Sequence, residues 1–504
     1  MTHTLSILTA LPVLGAVLAW SAGARARAVA LAVSGITLAY SLAIWFAVGT
    51  TGRMAFVERS LWVPDLGIEY HLGVDGLGAL MLVLAAIVTL ISVVASRRVT
   101  QQPGLYFALV LLLESGLIGT FTALNFFHWF LFWELSLIPA FFLIRLWGGE
   151  RRGPAATQFF VYTMVGSVAL LLSFLALFVA TGGMDFLSLA QFAASGELHR
   201  LIEARLGHVE LLLACGVLLG FAVKVPLMPF HTWLPETYSE APTAITILLT
   251  GAMSKMGVYG LIRIALPIFG HELFALRGLL LTLAVLTVVA GAWAAGMQRD
   301  LKKLFAYSSI NHLGYCLLAL FAILLPTAGD AGRTLSSAAA LDGAILQIFN
   351  HGLTAATLFW FLCMLEERSG GRLDLDAFGG LRKQIPVFCG LMGVALFSSL
   401  GLPGLNGFVS EFLIFRGAFP LAWQWATVAV LGLLITAAVL LTVIQRVFAG
   451  PLREEWTAMP DMTLAERVSV APALLLMLLL GLVPQILIAV INPTVLRWID
   501  GWRF

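Results

Sequence analysis

The sequence predicts an all-α polytopic membrane protein with fourteen transmembrane helices. Three observations carry that prediction. Hydrophobic residues make up 60% of the 504 positions and charged residues 11%, too little charge to cover a soluble surface of that size. Apolar runs of about 20 residues, each enough to cross a bilayer as a helix, recur from end to end. No polar stretch between them is long enough for a soluble domain, which excludes a flavin or ATPase domain. The formal net charge of +2 says little; where the charges fall says more.

The runs lie at about 4–20, 28–49, 76–96, 105–123, 125–147, 158–181, 208–229, 241–266, 276–296, 303–325, 338–365, 386–416, 421–446 and 468–491. The first lacks the basic flank of a signal peptide and reads as a retained span. Arg53 to His71 is a mixed stretch between the second and third spans. Asp185 to Arg205 reads as an amphipathic surface helix between the sixth and seventh. Cys215, Cys316, Cys363 and Cys389 fall inside apolar segments with no CxxC spacing. They read as small buried hydrophobes, and no metal or cofactor site is expected in this chain. No P-loop or dinucleotide fingerprint occurs, and nothing points to nucleic acid.

Basic residues concentrate at Arg25/Arg27, Arg97/Arg98, Arg151/Arg152, Arg299/Lys302/Lys303, Arg368/Arg372/Arg382/Lys383 and Arg446/Arg453/Arg467. The positive-inside rule assigns these loops to the cytoplasm and both termini to the periplasm. Strict alternation over the fourteen runs does not put every one of these loops on one side.

Two of the five lysines sit where lysine is costly. Lys224 lies in the run Glu210 to Met228 and Lys255 in Ala244 to Leu266, while Lys302, Lys303 and Lys383 read as residents of short polar loops. A lysine in hydrocarbon costs ~2.5–3.5 kcal/mol on insertion scales, and such residues usually mark ion or proton pathways. Acids keep them company. Glu114 and Glu134 each lie about nine residues into a span, roughly 13 Å at 1.5 Å per residue and so near the bilayer centre. Lys255 lies roughly 20 Å along its own helix from Pro242. His312, His351 and Glu411 complete the set. Any one of these could simply hold helices together as a buried pair, and His128, nearer a helix end, reads that way. Structural pairing does not require titratable groups spread over five or more helices. Carboxylates, imidazoles and desolvated ammoniums all change proton affinity when a neighbouring charge moves, so a series of them forms a switchable relay.

Two spans carry breaks. Lys224 is followed by Pro226 and Pro229 in KVPLMPFHTWLP, and Gly401, Pro403 and Gly404 interrupt SSLGLPGLNGFVSEF ahead of Glu411. Proline removes a backbone donor and clashes with the preceding turn. The freed carbonyls must find partners in protein interior or water, as in the broken helices of transporters. The breaks fall in spans 7 and 12, five apart, which points to two inverted five-helix repeats over about spans 4–8 and 9–13. The chain then divides into residues 1–104 (spans 1–3), 105–266 (first half-channel), 267–446 (second half-channel) and 447–504 (a loop and span 14). Glu134 in span 5 would correspond to His312 in span 10.

The run KVPLMPFHTWLPETYSEAPTAITILLTGAMSKMGVYGLIR, Lys224 to Arg263, resembles the antiporter-like membrane subunits of proton-pumping NADH:quinone oxidoreductase (respiratory complex I). The family includes the large subunits of multi-subunit sodium/proton antiporters and of membrane-bound hydrogenases. The resemblance continues through DLKKLFAYSSINHLGY (Asp300–Tyr315) and NHGLTAATLFW (Asn350–Trp360) and covers nearly the whole chain. It implies fourteen helices with two inverted repeats, a Glu134–Lys224 pair in the inlet half, and Lys255 joining the halves through His312 and His351. Glu411 matches the terminal group of the second half. Sibling subunits usually carry lysine there and the subunit M branch glutamate, which favours that branch. Glu114 matches a further family acid.

The resemblance also implies a bacterial inner-membrane location and a translocase-class enzyme complex. FMN, iron–sulfur clusters and quinone would bind partner subunits, with no redox centre in this chain. Neighbours would be sibling antiporter-like subunits and membrane lipid. A stand-alone sodium/proton antiporter subunit is the strongest rival, followed by a hydrogenase-linked subunit. An independent solute transporter would need a clustered pocket, and a structural scaffold would tolerate neutral residues at Lys224, Lys255 and Glu411.

Overall fold

A computed structural model describes residues 3–325 and 330–502. The chain opens with an antiparallel pair, α1 (Thr4–Ser21) and α2 (Ala26–Val48). The mixed stretch that follows is an antiparallel hairpin, β1 (Ala55–Val63) and β2 (Ile68–Val74), with Val63 opposite Ile68 at the turn and Ala55 opposite Val74 at its base. Glu58 reaches from this hairpin to the N-terminus of α1, accepting Leu5 N–H at 2.7 Å, where a carboxylate complements the exposed N–H groups.

Four helices come next: α3 (Gly76–Ala95), capped by Asp75, α4 (Pro103–Thr122), α5 (Phe126–Trp147) and α6 (Arg152–Thr181). The expected single surface helix over 185–205 is two, α7 (Phe186–Ala194) and α8 (Glu197–Leu206). They part at Gly196, whose φ of +72° belongs to the left-handed region. Then come α9 (Glu210–Lys224) and α10 (Trp233–Glu240). The span Thr243–Ala275 is assembled from α11 (Thr243–Leu248), α12 (Lys255–Gly260) and α13 (Leu266–Ala275), joined by π-helical turns at Leu249–Met253 and Leu261–Ala265. The rest are α14 (Arg277–Gly296), α15 (Leu301–Ala322), α16 (Asp330–Ser369), α17 (Pro386–Ser399), α18 (Asn406–Val443), α19 (Leu464–Leu482) and α20 (Gln485–Gly501).

Among the described residues, twelve helices are long and apolar enough to cross a membrane, or thirteen if α8 and α9, bent by 106°, count as one span. The expected count of fourteen differs for a physical reason. The run 386–416 is cut between α17 and α18, and α18 continues through a kink at Ala422 into the run expected to be separate. Pro420, two residues earlier, accounts for the kink.

The helices sort into centre and rim. Every residue in the apolar window of Thr243–Ala275 is buried, and α4, α15 and α16 are buried almost throughout. The rim helices α1, α2, α6, α18 and α19 turn Leu14, Phe46, Leu172, Leu434 and Leu475 outward. In water that face would be a liability; against lipid it is the expected one. Polar groups therefore point inward, Glu411 on the rim helix α18 included, since lipid would penalise them.

One end of the bundle collects the basic loops. Arg27 donates to the Val94 carbonyl at the end of α3 (3.0 Å), and Arg97 pairs with Glu367 and with Glu466 (2.8 Å). Arg368 also reaches Glu466 (2.6 Å), Lys303 reaches Glu236 (2.7 Å), and Glu240 accepts the Arg151 N–H (2.8 Å). Arg372–Glu455 (2.8 Å) and Arg446–Asp376 (2.9 Å) belong to the same layer. The folded chain thus gathers the loops that strict alternation over the predicted runs had separated. The exposed pairs, Arg372–Glu455 and Arg446–Asp376, contribute only ~0–1 kcal/mol each, whereas Arg368–Glu466 is buried; the information of the layer is positional. Lys302 and Lys303 are not loop residues. Asp300 caps α15 by accepting the Lys303 N–H (2.8 Å), which puts both lysines in the first turn. Lys302 is buried, donating to the carbonyls of Ser239 (3.2 Å) and Ala241 (3.3 Å).

Candidate functional site

The two helix breaks each deliver a charge to the interior. Lys224 is the last residue of α9, because Pro226 and Pro229 cannot continue the helix. The released backbone is satisfied by protein: Trp233 Nε1 donates to the Val223 carbonyl (3.0 Å) and Thr287 Oγ1 accepts the Met228 N–H (3.0 Å). Between α17 and α18, Gly401 (φ +80°) and Gly404 (φ +94°) take backbone conformations that L side chains rarely adopt. The chain re-enters a helix at Asn406, and Glu411 lies in its second turn, buried. The loop folds over that carboxylate so closely that a Cβ on Gly401 would sit 2.8 Å from Glu411 Oε2.

A contact series runs from the end of the first half into the second. Lys255, fully buried, opens α12 directly after the first π-helical turn. That turn is closed by Ser254 N–H to the Leu249 carbonyl, five residues back. Lys255 Nζ donates to the Thr250 carbonyl, to Ser254 Oγ (3.1 Å) and to His351 Nδ1 (3.0 Å). The His351 ring lies 4.9 Å from the His312 ring, centroid to centroid. His312 Nδ1 meets Glu411 Oε1 at 3.1 Å and its Nε2 meets Ser399 Oγ at 3.2 Å. Four titratable groups from α12, α16, α15 and α18 thus form one line. Small residues let the helices approach closely enough: a Cβ on Gly352 would sit 2.5 Å from the Gly251 carbonyl.

The first half is built differently. Glu134 lies on α5 and Lys224 faces it closely enough to interact electrostatically, yet no ion pair within 4.0 Å joins them. The ammonium stands 4.8 Å from the centroid of Trp133, a cation–π arrangement. Trp133 Nε1 is fixed by Ser167 Oγ at 3.0 Å, and Glu134 Oε1 has no hydrogen-bond partner among the described residues. Glu114 is fully buried on α4, and among the described residues neither of its carboxylate oxygens has a hydrogen-bond partner. Two residues on, Gly116 packs against the backbone of Leu135 and Ser136; in this antiparallel pair Glu114 lies about one helical turn from the level of Glu134 and outside the contact series.

Several polar residues escaped the sequence reading. Asp75 and Arg263 form a buried two-pronged ion pair (2.8 and 2.5 Å), with Trp498 over the guanidinium at 5.0 Å. The available signal was Arg263 itself, in the apolar run that holds Lys255. Gln347 and Ser399 reach His312, and Ser410, Asn350 and Asn406 extend the network behind Gln347. Asp342 on α16 accepts from Asn492 on α20 (2.6 Å). His128 packs against Tyr70 and Trp62, as expected of a structural histidine.

Outside the spans, Glu69, His71 and Asp185 bring ligand-type atoms within 4.8 Å of one another. Their partners are already assigned: Arg59 holds Glu69 (2.7 Å), and His71 Nδ1 meets Asp185 Oδ2 at 2.5 Å. Burial pushes the Asp185 carboxyl up, but the hydrogen bonds from His71 and Ser188 outweigh it and hold the group below its usual range. The trio reads as a fastening between the hairpin and α7.

A family model described as NADH:quinone oxidoreductase/Mrp antiporter, TM, matches residues 123–436, which contain the contact series and both breaks. The chain is 34% identical to NADH-quinone oxidoreductase subunit M of Rhodobacter capsulatus, over 100% of this chain and 98% of that protein. It is 33% identical to the subunit M of Escherichia coli K12, over 94% and 93%. The fold superposes on a chain of respiratory complex I from Thermus thermophilus with a TM-score of 0.85 at 26% identity, over 99% of this chain and 100% of that one. The chain is therefore a multi-pass membrane subunit belonging to the NADH:quinone oxidoreductase/Mrp antiporter family, within which its subunit M relatives are matched over nearly their full length.

Proposed function

We propose that this chain moves protons across the bacterial inner membrane as the M-type subunit of an NADH:quinone oxidoreductase, a translocase-class complex. Electron transfer from NADH to quinone takes place on FMN, iron–sulfur clusters and quinone held by partner subunits. Sibling antiporter-like subunits flank it in the membrane. One observation supports the reading most: the series Lys255–His351–His312–Glu411, in which each group touches the next inside a span-rich core. Residues 105–266 and 267–446 act as two inverted half-channels, with Glu134 and Lys224 in the first. The basic end of the bundle faces the cytoplasm by the positive-inside rule, which puts both termini in the periplasm.

The energetics are of the right size. Moving one proton against 100 mV costs ~2.3 kcal/mol. A ten- to hundredfold change in proton affinity at one group supplies ~1.4–2.7 kcal/mol. Charge rearrangement between neighbouring groups on the line produces changes of that order. The rival, a stand-alone sodium/proton antiporter subunit, shares the fold; Glu411 and the subunit M relatives favour the oxidoreductase.

The test uses the purified complex in sealed vesicles. Lys224→Met and Glu134→Gln are expected to leave part of NADH oxidation intact while proton translocation collapses. Unchanged translocation in an assembled complex would overturn the assignment. Co-purification with flavin and iron–sulfur subunits separates this reading from the antiporter.

A further inference from the structure

We infer that Ser399 is a positioning residue for proton transfer at His312, serving the ring nitrogen that Glu411 does not reach. The inference rests on the proton-translocating reading above and adds a device to it.

The two nitrogens of His312 have different company. Nδ1 faces the Glu411 carboxylate at 3.1 Å and the Gln347 amide nitrogen at 3.4 Å. Gln347 is itself oriented, because its Oε1 accepts the Ser410 hydroxyl at 2.5 Å. Nδ1 therefore has an acceptor on one side and a donor on the other, so either tautomer finds a partner there. Among the described residues Nε2 has only Ser399 Oγ, at 3.2 Å. A hydroxyl both donates and accepts. It can donate to a bare Nε2 when Nδ1–H points at Glu411, and it can accept from Nε2–H when the ring carries that proton. Ser399 thus serves both protonation states without movement of the backbone.

Its location makes this more than local satisfaction. Ser399 is the last residue of α17, where the break begins, and Gly401 on the same loop lies against the other oxygen of Glu411. The preceding Ser398 is committed elsewhere, donating to Asn406 Oδ1 (2.6 Å) and meeting Thr354 Oγ1 (3.0 Å). Those contacts anchor the end of α17 to α16 and α18, so Ser399 is held in register with the ring. The titratable groups around His312 are Glu411 from α18, His351 from α16 with Lys255 of α12 behind it, and Tyr315 and Cys316 from its own helix. None of them reaches Nε2 through a hydrogen bond.

Removing the hydroxyl therefore takes the partner of Nε2 away in either protonation state. In the assembled complex in vesicles, Ser399→Ala is expected to slow coupled proton translocation several-fold with uncoupled NADH oxidation retained. It is also expected to change the pH profile of translocation. Ser399→Thr and Ser399→Val share a shape and differ in the hydroxyl; threonine should restore the profile and valine should not. A wild-type pH profile in Ser399→Ala, or matching defects in the Thr and Val variants, would overturn the role. Should the alanine variant fail to assemble, the Thr/Val pair decides alone: a valine complex with the threonine profile refutes it. Lys224→Met in parallel separates the levels. If it abolishes translocation while Ser399→Ala is silent, only this inference fails; if both are silent, the proton-translocating reading fails with it.

Discussion

The two halves of the molecule hold similar chemistry in different states of connection. One line of contacts runs from Lys255, at the end of the first half, through His351 and His312 to Glu411 in the second, with the two imidazoles meeting ring to ring. In the first, Lys224 rests over the face of Trp133 and stops short of Glu134. A connected line can pass a proton by small displacements. A separated pair holds two charges whose interaction changes steeply if they approach, since charge interactions in a poorly solvated interior are far stronger than in water. On the proposed reading the two arrangements divide the labour: the separated Lys224–Glu134 pair responds to its surroundings and the connected line relays protons between the half-channels.

The largest expected effect follows from Lys255, which begins the connected line at the boundary between halves. Lys255→Met should cut proton translocation at least tenfold, as general acid–base groups contribute about 10²–10⁴. NADH oxidation in the presence of an uncoupler provides the comparison. Gly352→Ala attacks the same contact through packing, because its Cβ would meet the Gly251 carbonyl. Overpacking of this kind costs ~1–3 kcal/mol. A partial loss of translocation with lowered thermal stability is expected, measured on the same preparation. Trp133→Leu tests the first half by removing the ring under Lys224, an interaction of ~0.5–2 kcal/mol. A few-fold loss of translocation is expected with the second half intact, and no loss would mean that the tryptophan does not hold the lysine apart from Glu134.

The smallest effect on transport should come from Asp185→Asn. His71–Asp185 is a histidine–carboxylate pair like His312–Glu411, but it lies outside the spans and joins the hairpin to α7. Asp185 is held below its usual range in the folded state. Its contribution to stability is therefore present above the unfolded carboxylate pKa and lost as pH falls through the folded one. The variant should be less stable at neutral pH, its deficit should shrink on acidification, and translocation should be unchanged.

Much of this was legible in the sequence because hydrocarbon punishes misplaced charge. Lys224, Lys255, Glu134 and Glu411 stood out against apolar neighbours, and the prolines and glycines beside them marked the breaks. Contacts across helices were not legible. Ser399 and Gln347 look like ordinary polar residues in a span, and serine in a helix as often satisfies its own backbone. The π-helical turn that presents Lys255 has no local signature, and the 53–71 stretch shows too little alternation to announce a hairpin. Lys302 and Lys303 were assigned to a loop because a capped first turn and a polar loop share a composition. The Asp75–Arg263 pair required bringing together residues 188 positions apart.

The central claim is that protons pass along the connected line, whose last member is Glu411. Its most direct test is proton translocation per NADH oxidised by the assembled complex carrying Glu411→Gln in sealed vesicles. Glutamine keeps the shape and removes the titratable group. The account predicts that translocation falls sharply while uncoupled NADH oxidation persists; an unchanged ratio of protons to NADH would contradict it.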